Sequence, residues 1–340
     1  MRLSAQLSFV TCISIGCLAF AQVKKISEPA GKTLDKALKT SMLIQPDAKP
    51  FHIKLQIAQT KSTATTYAAT IEETWVSPSQ WSRTVVAAGL SQTTVVNETG
   101  MHVVTSGDYF PNWLRSFVTA LFTPVPDADE WNRLKMPLEH IELPNGAHSN
   151  PCMHSEFNLG AAPVQQVNFA NVCFKDGLLD FVGAPGYGME FHDYRSYGRL
   201  KIAHTLIDHP MHGVELVGTL VTLEAVQGAD PKLFVTPDGA GNKDPLATVS
   251  VGTDQLAKLA GGMVTLPWPN PVPGHGMFTV WISLDRNGVV RETHPLNSDE
   301  SGIAADMAAQ LVGRHWKGAV LSGEPTQVQG AMVFSYPPAT

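Results

Sequence analysis

The sequence predicts an α+β protein: an antiparallel curled half-barrel sheet with covering helices, then a small C-terminal strand-strand-helix-strand domain. Three observations carry that expectation. Apolar and polar residues alternate with period two in short runs from 51 to 237, the pattern of half-buried strands. One strongly amphipathic helical stripe interrupts them at 110–122. A compact stretch at 274–340 then holds an alternating run, an Asn-Gly turn, a second alternating run, an Ala-rich helical run and a last strand. The 340 residues suit about two domains of roughly 150 residues.

The N-terminus reads as an export signal. Arg2 precedes an uncharged run at 3–20, and Ala19, Phe20 and Ala21 give the small-x-small pattern of a cleavage site that leaves Gln22 first. Ser4, Gln6, Ser8, Thr11 and Ser14 interrupt the run, whose length of about 18 residues is borderline for spanning a bilayer. An uncleaved anchor and lipidation at Cys17 are the alternatives. Export removes Cys12 and Cys17 and leaves Cys152 and Cys173, an even pair suited to one bridge in an oxidising compartment; two buried thiols are the other reading. A net charge of -6 without a basic stripe argues against nucleic acid and against a polybasic membrane patch. The expected location is the periplasm or another part of the cell envelope.

Residues 31–43 place Leu34, Ala37, Leu38 and Met42 on one helical face. Phe51, Ile53, Leu55 and Ile57 then alternate with His52, Lys54 and Gln56. Strands at 66–76 and 81–88 flank a Ser-Pro-Ser turn, and strands at 93–96 and 102–105 flank NETG at 97–100. Phe110, Trp113, Leu114, Phe117, Val118, Leu121 and Phe122 recur at helical spacing, with Pro111 in the first turn and Pro124 ending the helix. Such a stripe packs on a core or lids an apolar cavity. Strands at 167–174 and 178–182 surround a Lys-Asp-Gly turn. Further strands at 189–197, 199–208 and 213–226 follow, 233–237 closes the run, and 238–242 begins a linker.

The region 45–237 resembles the lipoprotein-carrier superfamily, the LolA and LppX-like half-barrels. The resemblance lies in the order of "VSPSQWSR" at 76–83, the apolar helix, "VCFKDGLLDFV" at 172–182, "FHDYRSYGRLKIAHTLID" at 191–208 and "DPKLFVTP" at 230–237. It implies a greasy concave face that takes a lipid or a lipid-modified protein. Periodicity alone nominates Trp75, Trp81, Phe110, Trp113, Leu114, Phe117, Val118, Leu121 and Phe122 as cavity or lid residues.

In the last stretch Phe278, Val280, Ile282 and Leu284 share one strand face, and Ile303, Met307, Leu311 and the alanines at 304, 305, 308 and 309 form a buried helix face. With His315-Trp316 and the Gly-Glu-Pro at 323–325, this order resembles the C-terminal domain of TonB-type energy transducers. The resemblance implies strand addition by a peptide of an outer-membrane or other envelope protein along the edge strand Gln327, Val328, Gln329, Gly330, Ala331, Met332, Val333 and Phe334. The proline-rich 267–273 is too short to span a periplasm at about 3 Å per residue, so force transmission is not expected. The expected division is a signal peptide at 1–21, a half-barrel at 22–240, a linker at 241–273 and the final module at 274–340.

Catalytic and metal chemistry find no motif. Among the 12 histidines, His204, His209 and His212 lie close in sequence, but the odd interval from 204 to 209 puts those two on opposite strand faces. There is no HExxH, no CxxC and no carboxylate cage, so no metal or other cofactor is expected. No G-x-S-x-G elbow exists, Ser106-Gly-Asp108 and His192-Asp193 lack a third partner, and the glycine-rich 183–188 lacks the Lys-Ser/Thr of a phosphate loop. The expectation is a non-catalytic binding protein. A filled-core interaction protein and an envelope hydrolase stand as alternatives.

Overall fold

The computed structural model describes residues 23–60, 66–126, 128–129, 137–141, 150–158, 167–184, 186–211, 214–262, 264, 266, 276–298 and 301–336. The export signal, His212 and the proline-rich 267–273 lie outside the described residues. Two sheets form the protein.

The first sheet is antiparallel and contains, in chain order, β1 (Val23–Pro29), β2 (Phe51–Gln59), β3 (Ala68–Ser77), β4 (Gln80–Ala87), β5 (Leu90–Asn97), β6 (Gly100–Ser106), β7 (Pro137–Ile141), β8 (Cys152–Asn158), β9 (Val167–Lys175), β10 (Leu178–Ala184), β11 (Tyr187–Tyr197), β12 (Leu200–Met211) and β13 (Val214–Ala225). Its spatial order is β1-β7-β8-β9-β10-β11-β12-β13-β2-β3-β4-β5-β6, so one non-sequential pairing, β13 on β2, joins two meandering halves. Alternation decides which side faces inward: Phe51, Ile53, Leu55 and Ile57 are buried while the intervening His52, Lys54 and Gln56 are not. Cys152 and Cys173 stand opposite each other on β8 and β9 and form a disulfide, with Cα atoms 4.0 Å apart.

Helices α1 (Ala30–Ser41) and α2 (Asn112–Phe122) pack on the sheet over β10–β12. Leu34 and Ala37 of α1 join Leu114 and Phe117 of α2 in one continuous core with the sheet. The ring of Phe117 lies against β13 at Gly218, where an added Cβ would come 2.7 Å from Phe117 Cε1. Only a residue without a side chain permits that approach.

The second sheet contains β14 (Thr248–Ser250), β15 (Gly276–Leu284), β16 (Val290–Ser298), β17 (Ala319–Leu321) and β18 (Glu324–Tyr336), with helices α3 (Thr253–Leu259) and α4 (Ser301–Ala309). Phe278, Val280, Ile282 and Leu284 are fully buried against Ala304, Met307, Ala308 and Leu311, as their alternation predicts.

Three sequence expectations need correction. The described part of the expected 241–273 linker is packed: Gly241 bridges Val103, Leu246 enters the half-barrel core, β14 pairs with β18, and Leu256 and Leu266 enter the second core. Residues 233–237 form no strand. Asp230 accepts a hydrogen bond from Lys232 N and Pro231 starts a 3-10 turn (Pro231–Phe234), a conformation that proline's fixed φ favours. The outer edge of β18 is not open along 327–334, because β14 runs parallel beside Gln327, Val328 and Gln329 and Val251 N donates to Gln329 O at 2.8 Å. Beyond Gln329 no strand among the described residues pairs with that outer edge.

Candidate functional site

Most of the predicted lid residues are structural. Leu114 and Phe117 are fully buried, Trp75 stacks on Phe51 with centroids 5.5 Å apart, and Leu121 and Phe122 are almost wholly enclosed. Trp81 is half-buried beneath the Arg83 guanidinium, 5.0 Å from its ring centroid, and Val118 lies partly buried against the same core. Beneath α2, beside Ala120, Leu121, Phe191 and Leu206, a void of about 20 Å³ remains, room for about one water. Of the two expectations for the 110–122 stripe, packing on a core describes most of these side chains. Side chains of the helix, chosen large and aromatic, occupy the concavity themselves.

Open space lies instead beside the N-terminus of α2, where the second sheet meets the first. A cavity of about 480 Å³ is bounded by Trp113 and Ser116 of α2, by β10–β12, and by Trp281 and Ser283 of β15 with Glu292 and His294 of β16. Trp113, already nominated, is the one predicted lid residue that reaches it. Phe181, Tyr187, Ile207 and Leu296 complete its apolar wall, and Glu190, Asp208 and His209 contribute polar groups.

Strand geometry explains how β15 serves two cores. Its even-numbered apolar residues face α4, and its odd-numbered Thr279, Trp281 and Ser283 face away from them. Trp281 lies directly over Gly186, whose missing Cβ leaves room for the indole edge. Among the described residues the indole Nε1 is buried without a hydrogen-bond partner, while the Ser283 hydroxyl lies against Tyr109.

Hydrogen bonds fasten this sheet to α2. The helix has Pro111 at its N-cap and no side-chain cap of its own, leaving orphan N–H groups. Glu292 supplies the missing acceptor from β16, receiving Asn112 N at 3.0 Å on Oε1 and 3.2 Å on Oε2. Its negative charge also suits the positive end of the helix dipole. Two residues before the helix, Phe110 N donates to Gln327 Oε1 at 3.1 Å and Gln327 Nε2 donates back to Phe110 O at 2.8 Å. Asn112 Nδ2 reaches Gly186 O at 2.7 Å, Arg291 bridges to Asp108 at 3.1 Å, and His294 Nδ1 meets Pro210 O at 2.8 Å.

Enclosure perturbs the ionisable groups. Burial pushes the Glu292 carboxyl up to about 7, against the pull of its hydrogen bonds from Asn112, Tyr109 and Trp113 and of Arg115. Burial, then the charge of Glu292, holds Asp208 well above the usual carboxylate range, opposed by a backbone hydrogen bond from His209. Burial lowers His294, with the Pro210 carbonyl opposing. At the rim Glu190 pairs with His192 at 2.9 Å and with His209 at 3.5 Å. No cluster of His, Cys, Asp or Glu fit to hold a metal ion exists among the described residues. His192 bonds to Glu190, and Asp193 bonds to Arg195 at 2.6 Å, so those neighbours on β11 work apart.

No protein-family model matches the chain, and no curated protein matches it. Solved structures do resemble it. A putative outer membrane lipoprotein-sorting protein domain from Vibrio parahaemolyticus is 11% identical and covers 55% of this chain and 89% of its own, with a TM-score of 0.26. A DUF1329 family protein from Desulfovibrio piger is 13% identical, covering 62% and 98%, with a TM-score of 0.36. A LolA superfamily protein from Nitrosomonas europaea is 8% identical, covering 62% and 98%, with a TM-score of 0.27. Likenesses this remote carry no functional argument, and the site has to speak through its own residues.

Proposed function

We propose that this chain is an exported, non-catalytic cell-envelope protein that binds one amphipathic, lipid-like ligand in the cavity between its two sheets. The observation that carries this reading is the cavity itself. At about 480 Å³ it falls within the range of small-molecule sites, which are concave and largely apolar with a few placed polar groups. Trp113, Phe181, Tyr187, Ile207, Trp281 and Leu296 offer the apolar part, and each buried CH₂ contributes about 0.8 kcal/mol. Export is supported by the signal-like N-terminus and by a disulfide, which persists in oxidising compartments. No helix among the described residues is long and apolar enough to cross a membrane.

Native mass spectrometry of the full chain, released gently from an envelope fraction, tests the proposal. Added mass of a lipid-like adduct, lost when Trp281→Ala opens the wall, is the expected result. A bare chain that also fails to take up dodecyl amphiphiles in titration contradicts it.

A second reading is favoured by the filled space under α2 and by the outer edge of β18 beyond Gln329, which no strand among the described residues pairs with. In it the C-terminal module accepts a peptide strand of an envelope protein along Ala331, Met332, Val333 and Phe334. A peptide that binds there should protect those backbone amides from hydrogen exchange while leaving Val328 unchanged.

A further inference from the structure

The charge inventory of the cavity leans acidic: its basic side chains among the described residues are His209, which pairs with Glu190, and His294, whose basicity burial lowers. Three carboxyl side chains, Glu190, Asp208 and Glu292, line it, and among the described residues no Lys or Arg does. The nearest guanidinium groups are committed elsewhere. Arg115 draws on Glu292 electrostatically, but its Nη2 donates to Leu246 O at 3.2 Å and its head lies 4.7 Å from the Phe110 ring centroid. Arg291 precedes Glu292 on β16 and points to the other face, donating to Asp285 at 2.6 Å and Asp108 at 3.1 Å.

Aromatic rings supply the rest of the wall. Trp113, Phe181, Tyr187 and Trp281 border the same space, and ring faces attract ammonium groups. Asp208 is 5% exposed and no cation among the described residues pairs with it. Its carboxyl accepts a backbone hydrogen bond from His209 but has no counter-charge, and a buried carboxylate without a paired cation is costly, so a cationic group entering the cavity would supply what the wall lacks. Carboxyl groups and rings together accept a charged amine and repel an anion.

From this geometry we infer that the cavity selects an amphiphile with an amine or quaternary ammonium head, seated between Asp208 and Glu292 and against Trp281, over one with an anionic head. The inference rests on the cavity being the ligand site. Glu292 lines the cavity while Asn112 N holds its carboxyl in place.

The test compares three ligands of equal chain length, each below its micelle concentration, by calorimetric titration of the full chain at pH 7.5: dodecyltrimethylammonium, dodecanol and dodecanoate. The ammonium compound should bind at least about tenfold more tightly than dodecanoate, a difference of about 1.4 kcal/mol. Asp208→Asn, nearly the same shape, and Glu292→Gln, which keeps an acceptor for Asn112 N, should each lower the affinity ratio of the ammonium compound to dodecanoate several-fold. Because the wild-type comparison needs no variant, misfolding of either variant does not remove the test. Equal binding of all three, or tighter binding of dodecanoate, overturns the amine preference and leaves the cavity reading intact. Failure of all three to bind overturns both.

Discussion

Under α2, Leu114 and Phe117 are sealed against the sheet and, among the described residues, a void of about 20 Å³ lies beside Ala120 and Leu121; at the N-terminus of the same helix about 480 Å³ stands open. Both regions belong to one helix and one sheet. They differ in what covers the sheet. In the first, the helix lays its own aromatic stripe into the concavity. In the second, the helix has ended, and the cover is a face of another sheet, whose Ser283, Glu292 and Thr293 do not fill space as Phe117 does. Vacancy arises here where two units abut.

Substitutions should separate the two regions, the largest effects falling in the filled one. Phe117→Ala should cost about 3–5 kcal/mol of unfolding free energy, measured by denaturant titration, since the fully buried ring leaves a cavity against Gly218 and Leu55. A cost below about 1 kcal/mol would mean the packing there is loose. At the end of the same helix Arg83 lies 4.2 Å from the Phe122 ring centroid and donates at 2.5 Å to Glu73, whose side chain is fully buried. Arg83→Met should cost about 3–5 kcal/mol at pH 8 by stranding that carboxylate. Burial raises the Glu73 carboxyl while Arg83 lowers it, so the loss should shrink as pH falls and Glu73 takes up its proton.

The disulfide spans 21 residues, and the Cys152→Ser, Cys173→Ser double variant should lose about 3 kcal/mol by the loop-closure relation. β9 also lends Asn171 to the cavity wall, so weakened ligand uptake should accompany that loss. Trp281→Ala should cost less than Phe117→Ala, because its ring borders empty space, yet it should weaken dodecyl-ligand binding. A stability loss equal to that of Phe117→Ala would erase the contrast.

The smallest effect is in pH dependence. Glu292 holds its proton up to about 7 in the folded chain, against an ordinary value of 4.5. The folded state thus keeps an extra proton in that window, and the stabilisation is present at lower pH and lost as pH rises through about 7. Glu292→Gln should remove that decline, so the variant gains on wild type between pH 5 and pH 8. His294, lowered by burial, acts in the opposite sense, with stability rising as pH climbs toward 6.5, but it is common to both proteins and cancels in the difference.

The sequence made the strands legible wherever one face is buried and the other wet, as in β2, β9 and β15. It hid β14 and β17, which have three residues each, too few to establish a period. It hid the docking of the two units for a related reason. Thr279, Trp281, Ser283 and Glu292 alternate with core residues just as solvent-facing residues do, and nothing local distinguishes a polar face that meets water from one that meets another sheet. Trp113 was legible through helical spacing, whereas Asp208 was invisible, because a lone carboxylate at the end of a strand run ordinarily sits at the surface. Counting named the pair that a bridge would use but left two buried thiols open, and the facing positions on β8 and β9 decide for the bridge.

Crystals of the full chain soaked with a bromine-labelled dodecyl amphiphile, read by the anomalous signal of bromine, test the central claim most directly. The account predicts a peak between Trp281 and Phe181, at the junction of the two sheets. A peak beneath α2 beside Phe117 and Leu121, or none at a concentration that saturates titration in solution, would contradict it.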